Sequence, residues 1–355
     1  MTKLKLSGLV TAGAVAAIAL GYAAPTLAQK RTKTYAGALT PSGIPNLEGS
    51  WGHSSLTPFE RPVALGTRAV MLEKDVAELE GSVEAANEAG RTPTDQNATT
   101  ESIYKAAADC HPQRGNCNYN NAWVDPGTRV NRINGEPRTS IVTFPANGRI
   151  PWKNGPPPRD TNSDESVADN PEDLRITTRC VIHGTLDFGA VIQDSLYNNN
   201  IQIVQAPNHV ALVSEKAMIR IARLNAQHRQ SNVAEWFGDE VAHYEGDTLV
   251  VETINVHPLQ RDGAGPKLKV TERYTRVAPD RLLYRFQVED PDTFTQPWGG
   301  EQELFSSEGL YEFACHEGNY GMINILAGAR ADDKLAAAGG ATAPTARTLL
   351  TGRPQ

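Results

Sequence analysis

From residue 200 onward the chain alternates short apolar-rich runs with turn residues. The runs are IQIVQ (201–205), VALVSE (210–215), MIRIARL (218–224), VAHYE (241–245), TLVVETINV (248–256), KLKVTERYTRV (267–277), RLLYRFQVED (281–290), GEQELFSS (300–307) and LYEFAC (310–315). They are rich in β-branched and aromatic residues, and the turns between them read APNH, GD and APD, so each run predicts a strand. Hairpin-length connections exclude parallel neighbours, because a parallel pair needs a long crossover. An antiparallel meander follows. With eight or nine strands it can close into a barrel, which removes its exposed edges. A β-sandwich is the alternative. The fold class is mainly β, with a few helices and long loops.

Side-chain alternation assigns the faces. In 267–277 one face carries Lys267, Lys269, Thr271, Arg273 and Thr275 and belongs to solvent. The other carries Leu268, Val270, Glu272, Tyr274 and Arg276. The next run places Leu282, Tyr284, Phe286, Val288 and Asp290 on one face. In 218–224, Met218, Arg220, Ala222 and Leu224 alternate with Ile219, Ile221 and Arg223, so the inward face is ambiguous. Buried charges need partners. Glu272, Arg276 and Asp290 therefore predict either an ion-pair network that plugs the barrel or a polar cluster that lines a ligand pocket at its mouth.

The first half is less regular. A strand is expected around Trp51, a helix over 67–90 from Val70, Leu72, Val76, Leu79 and Val83, and a strand over Thr139–Phe144. Residues 319–333 read as a helix after the last strand. The expected organisation is a signal peptide (1–28), a flexible lead-in (29–45), an N-terminal β, helix and loop region (46–152) and a Pro- and Asp-rich linker or surface loop (153–173). The antiparallel barrel with its C-terminal helix follows (174–334), then a disordered tail (335–355).

The first residues change the picture from fold to compartment. Lys3 and Lys5 precede an apolar, Ala-rich run that ends at Thr26-Leu27-Ala28, the pattern of a secretory signal peptide. No other stretch approaches the roughly 18 apolar residues of a membrane span. The expectation is a periplasmic or secreted protein with no stable membrane anchor after cleavage. The net charge is −7, from 34 Lys and Arg against 41 Asp and Glu, with no dense basic cluster. This disfavours nucleic acid as a partner.

The oxidising compartment also decides how the four cysteines read. An even number there favours two disulfides. Cys110 and Cys117 flank the short polar loop HPQRGN, which leaves Cys180 to pair with Cys315. Zinc is the competing reading, but the C-x6-C spacing fits no common zinc pattern.

The densest chemistry lies in YEFACHEGNYG, where Cys315, His316 and Glu317 are consecutive. With Cys315 assigned to a disulfide, His316 is the strongest acid/base candidate, with Glu317 or Glu272 as its partner. Arg276 or Arg220 would anchor a substrate carboxylate or developing oxyanion. Asp290, Tyr284, Asn319 and His228, in the rim segment LNAQHRQS, complete the expected substrate-binding set. His53, His111, His183, His209 and His257 fall in loops or turns and read as surface or packing residues; His243 alternates with Glu245. No H-x-H or H-E-x-x-H spacing calls for a metal, and no motif calls for a cofactor. No G-x-S-x-G elbow is present and no serine stands out as a nucleophile. The residues thus point to acid/base chemistry, as in a lyase, isomerase or hydrolase, on a small organic molecule. The alternative is a non-catalytic binding or carrier protein.

The segments GSWGHSSLTPFERP, RTSIVTFPANGRIP, WFGDEVAHYEGDTLVVETINV, VTERYTRVAPDRLLYRFQVEDPDTFTQPW and YEFACHEGNYGMINILAGAR resemble a family of exported, mostly uncharacterised bacterial proteins. That resemblance spans roughly residues 46–332 and implies export and a shared fold. Gly49-Ser50-Trp51 is also loosely similar to the G-x-W element that begins lipocalin-like barrels, which implies a lipocalin-like closed meander here.

Overall fold

The computed structural model describes residues 35, 39–91, 97, 99, 125, 127–156, 170–174, 176–181, 186–195, 197–216, 218–231 and 233–339. The expected signal peptide, Cys110, Cys117, His111, His183 and residues 340–355 lie outside these.

The strands are β1 (Gly49–Gly52), β2 (Arg132–Ile133), β3 (Glu136–Pro137), β4 (Val142–Phe144), β5 (Leu186–Asp187), β6 (Val191–Ile192), β7 (Asn200–Gln205), β8 (His209–Ser214) and β9 (Met218–Leu224). They continue with β10 (Asp239–Glu245), β11 (Thr248–Ile254), β12 (Lys269–Ala278), β13 (Arg281–Glu289) and β14 (Trp298–Ser306). The helices are α1 (Glu73–Arg91) and α2 (Tyr320–Ala337).

Nine strands form a closed barrel in the order β1, β7, β8, β9, β10, β11, β12, β13, β14 and back to β1. The meander expected from residue 200 onward is its main body. Closure comes from the isolated Trp51 strand: Trp51 pairs with Ile201 of β7 and with Ser306 of β14. The Trp51 indole is buried and donates to Leu47 O at 3.0 Å. The barrel therefore begins at residue 49 rather than 174, and the N-terminal region is woven into it. β4 adds to the outer end of β14 opposite Gly299 and Gly300. A Cβ on Gly299 would lie 2.2 Å from Phe286 O, and one on Gly300 2.3 Å from Ile141 O. These two residues must lack side chains for the backbones to approach so closely.

Two expectations fail, each for a topological reason. LYEFAC (310–315) forms no strand, and Tyr311 is exposed. β14 already pairs with β1, so no free edge is left for another strand. The meander is also not antiparallel throughout. β9 and β10 run parallel, pairing Arg223 with Val241 and Leu224 with Ala242. Residues 225–238 between them form a crossover long enough to return the chain to the same end.

The barrel is filled. Phe188, Ala190, Val191 and Ile192, on and around the β5–β6 hairpin, are buried in the same core as Trp51, Leu249, Val270, Tyr284, Phe286 and Trp298. Phe188 and Phe286 both meet Trp298 edge-on, with ring centroids 5.2 and 5.8 Å apart. Each fully buried Val, Leu or Phe contributes roughly 1.5–3 kcal/mol.

α1 forms where the apolar periodicity predicts a helix, though it starts at Glu73 rather than residue 67. It carries Glu73 and Asp75 in its first turn and buries Val76 and Val83. α2 runs past the expected end at 333 to Ala337 and buries no residue. Among the described residues no helix is long and apolar enough to cross a membrane.

Candidate functional site

The inward faces of β12 and β13 follow the alternation. Leu268, Val270, Glu272 and Tyr274 are buried, as are Leu282, Tyr284, Phe286, Val288 and Asp290. On β9, Met218, Arg220 and Ala222 face inward, while Ile219 and Ile221 are 57% and 56% exposed. Charge rather than hydropathy sets this face. Arg220, 3% exposed, meets one carboxylate from β10 and another from β12.

Arg220 Nε donates to Glu240 Oε1 at 2.6 Å. Its Nη2 donates to Glu272 Oε2 at 2.5 Å and to Thr253 Oγ1 at 3.2 Å. Its Nη1 reaches Glu272 Oε1 at 3.3 Å and Ala190 O at 3.2 Å. The hydroxyls of Tyr274 and Tyr284 donate to Glu272 Oε1 at 2.7 and 3.1 Å, and the Ile192 amide donates to the Tyr284 oxygen at 3.2 Å. A buried ion pair offsets its desolvation only when its remaining polar atoms are also satisfied. Glu272 meets that condition and is fully buried. Burial alone would lower the Arg220 pKa, but Glu240 and Glu272 outweigh it and hold it well above its ordinary value. Burial, reinforced by the Glu272 charge, pushes both tyrosines well above theirs.

Glu240 is the exception in this network. It is 4% exposed, yet among the described residues its Oε2 has no hydrogen-bond partner. Burial raises its pKa to about 6 against the pull of Arg220, and repulsion from Glu272 and Asp239 adds to the rise.

Glu240 also lines an opening in the barrel wall. Below the Arg223–Val241 pair, β9 and β10 part, and β10 continues on β11 alone through Glu240–Thr253 and Asp239–Ile254. The gap is a cleft of about 390 Å³. Ile219, Arg220 and Ile221 line it from β9, Trp236 and Phe237 from the end of the crossover, and Asp239 and Glu240 from the start of β10. Gly238, at φ +91°, brings this segment against β11, where a Cβ would lie 2.6 Å from Ile254 O. Trp236 packs on the His257 ring at 4.8 Å. The cationic groups at the cleft are already engaged: Arg223 pairs with Asp239 at 2.6 Å and Arg229 with Glu235 at 2.5 Å.

His228 stands next to this cleft through Asp239. Its Nδ1 lies 3.0 Å from Asp239 Oδ2, which also accepts from the Arg229 amide at 2.7 Å. Burial pushes the Asp239 pKa up, but that amide, His228 and Arg223 outweigh it and leave it below its ordinary value. His228 Nε2 is buried without a partner among the described residues.

The other expected site residues lie elsewhere. Arg276 is half-buried, sits 5.2 Å over the Trp51 ring and donates to Asn46 O at 3.1 Å and Pro279 O at 2.5 Å. It fastens β1 to β12 rather than anchoring a substrate beside Glu272. Asp290 holds a turn: it accepts from the amides of Gly265 at 2.5 Å and Asp292 at 3.0 Å and from Thr293 Oγ1 at 2.6 Å. These bonds overcome the effect of burial and keep its pKa below the usual value. Cys180 and Cys315 are at disulfide distance, 2.11 Å. Asn319 Nδ2 donates to Thr178 O at 2.8 Å and contacts Cys180 Sγ at 3.2 Å, beside that bridge. His316 and Glu317 are exposed on the turn after Cys315. The partners of Glu272 are Arg220, Tyr274 and Tyr284, not His316.

A second polar cluster has no counterpart in the sequence reading. Lys216, in the β8–β9 turn, is 1% exposed and places Nζ 2.5 Å from Ser195 Oγ. Beside it, buried His53 contacts Asp194 at 3.0 Å through Nδ1. Burial lowers the Lys216 pKa to about 7, although Asp194 and Glu215 oppose the shift. Burial raises Asp194, opposed first by its bond to His53. The residues are scattered from 53 to 216 and lie in no motif, so only the fold assembles them.

Among the described residues, no three His, Cys, Asp or Glu side chains converge to hold a metal ion. The chain matches no known family model, no curated protein and no solved structure.

Proposed function

We propose that this is an exported enzyme that moves a proton on a small organic substrate in the cleft between β9 and β10. Glu240 is the acid/base group, and Arg220 holds it from the interior. The observation that carries this reading is Glu240 itself: a buried carboxyl with one oxygen fixed by Arg220, the other unpartnered among the described residues, and a pKa of about 6. A carboxyl tuned toward neutrality exchanges protons efficiently near working pH. Ile219, Ile221, Trp236 and Phe237 suit a substrate with an apolar or aromatic body. His228, oriented by Asp239, is the second proton carrier within reach of the same wall. Export is supported by the N-terminal apolar segment and by the Cys180–Cys315 pair.

The test is a panel of small aromatic and aliphatic carbonyl compounds and carboxylic acids, incubated with the protein in D2O and followed by NMR. The expected result is deuterium incorporation or product formation that falls at least ~100-fold in Glu240→Gln and is unchanged in His316→Ala. Turnover that survives Glu240→Gln contradicts the mechanism. Saturable binding at the cleft without exchange or product supports the carrier reading instead.

A further inference from the structure

We propose that Ser195 is a nucleophile activated by Lys216, forming an acyl-transfer site, separate from the cleft, that acts on carboxylic esters. Lys216 is a buried amine whose partner is a hydroxyl. Among the described residues it makes no ion pair: Asp194 Oδ1 is held by His53, and Glu215 is held by the amides of Asn200 at 3.1 Å and Tyr311 at 3.0 Å. A buried ammonium without a carboxylate partner loses its proton readily. Burial accordingly brings Lys216 to about 7, so much of it is free amine at neutral pH and can accept the hydroxyl proton.

Ser195 is held in place for this and remains partly exposed. Its amide donates to Asn199 Oδ1 at 2.9 Å, and Asn199 Nδ2 returns a bond to Ser195 O at 2.7 Å. The hydroxyl donates to Tyr197 O at 2.7 Å and lies 3.3 Å from the Tyr197 amide. Lys216 approaches from the buried side. Asn199 is itself buried and tied to Asp125 O at 2.8 Å, which fixes the loop that presents the serine.

The step balances without an oxidant or a metal. The free amine of Lys216 takes the Ser195 proton as Oγ bonds to the ester carbonyl carbon. The carbon–alkoxy bond breaks, and the leaving alkoxide takes that proton from Lys216. An acyl-Ser195 ester and an alcohol result. Water then attacks the acyl carbon with Lys216 again as base, the Oγ–carbon bond breaks, and a carboxylic acid leaves as Ser195 recovers its proton.

The test uses the full chain with p-nitrophenyl acetate and, separately, a serine-directed fluorophosphonate, read by intact mass and peptide mapping. The expected result is one covalent adduct on Ser195, forming at a rate that rises with pH through a midpoint near 7. Ser195→Ala abolishes it, and Lys216→Met slows it by about 100-fold or more. Glu240→Gln leaves it unchanged, so this site and the cleft succeed or fail separately. No adduct at Ser195 of the native protein overturns the proposal, as does an equal rate in folded Lys216→Met. If Lys216→Met does not fold, the native rate decides: a profile without an inflection near pH 7 overturns activation by Lys216.

Discussion

Arg220 and Lys216 are two cations buried within four positions of each other, and the fold treats them in opposite ways. Arg220 faces two carboxylates, and Thr253 Oγ1 and Ala190 O accept further hydrogen bonds from it. Its charge is locked in. Lys216 faces a hydroxyl, and burial drives its charge out. The difference follows from the side chains. A guanidinium presents a fixed fork of donors that two carboxylates can saturate, whereas an ammonium is strongly hydrated and gives up its proton when desolvated. A saturated cation organises a core; an unsaturated one becomes a base. Glu240 lies at the border of these regimes, with one oxygen locked and the other unpartnered among the described residues.

The largest effect should come from breaking the saturated side. Arg220→Met leaves Glu240 and Glu272 buried without their cation, and urea unfolding should show a loss of about 3–5 kcal/mol. Lys216→Met removes the cost of discharging a buried amine and should leave the protein at least as stable as the native chain at neutral pH. The reverse order would break the comparison.

Next in size is the Cys180–Cys315 bridge, which spans 135 residues of sequence and constrains the unfolded chain. Its reduction should cost about 2–4 kcal/mol of equilibrium stability. Hydrogen exchange should show the same loss at the slowest barrel amides, which open only by global unfolding, while amides that open locally in the barrel keep their protection.

The pH dependence sharpens the comparison through its sign. Lys216 titrates near 7 when folded and near 10.5 otherwise, so between 7 and 10.5 the unfolded chain holds a proton that the folded one lacks. This group makes stability rise with pH across that range, by roughly 1.4 kcal/mol per unit, and Lys216→Met removes that rise. Glu240 runs the other way. Its folded pKa of about 6 exceeds the ordinary 4.5, so its contribution is full below 4.5 and is lost as pH rises through 6. The loss amounts to roughly 2 kcal/mol and is absent in Glu240→Gln. Smallest of all, His316→Ala and Glu317→Ala at the exposed turn should each stay within about 0.5 kcal/mol of the native protein.

Much of the fold is legible in the sequence, because alternation on β12 and β13 is a local property. Glu272 and Tyr284 could be placed inside the barrel from their neighbours alone. β9 could not, since Ile219 and Ile221 compete with Met218 and Ala222 for the core, and only the carboxylates of two other strands turn Arg220 inward. Closure by Trp51 and the parallel crossover over 225–238 are pairings between distant segments, which periodicity does not encode. The site was legible in part for the same reason. Arg220, Glu272 and Tyr284 do form one network, and His228 does stand near the cleft. Glu240 carries no such signal, because it lies just before the run 241–245 whose alternation marks the strand. Ser195 and Lys216 carry no local signal. Cys315 pairs with Cys180 as expected, but His316 and Glu317 beside it are exposed, because chemistry that is dense in sequence need not be enclosed in space.

The proposed function depends on Glu240 as a proton carrier at the wall of the barrel. A 13C NMR titration of the glutamate carboxyls in the full chain, with Glu240 assigned through Glu240→Gln, measures this directly. A Glu240 midpoint of about 6 is expected. A midpoint at or below 4.5 would contradict it.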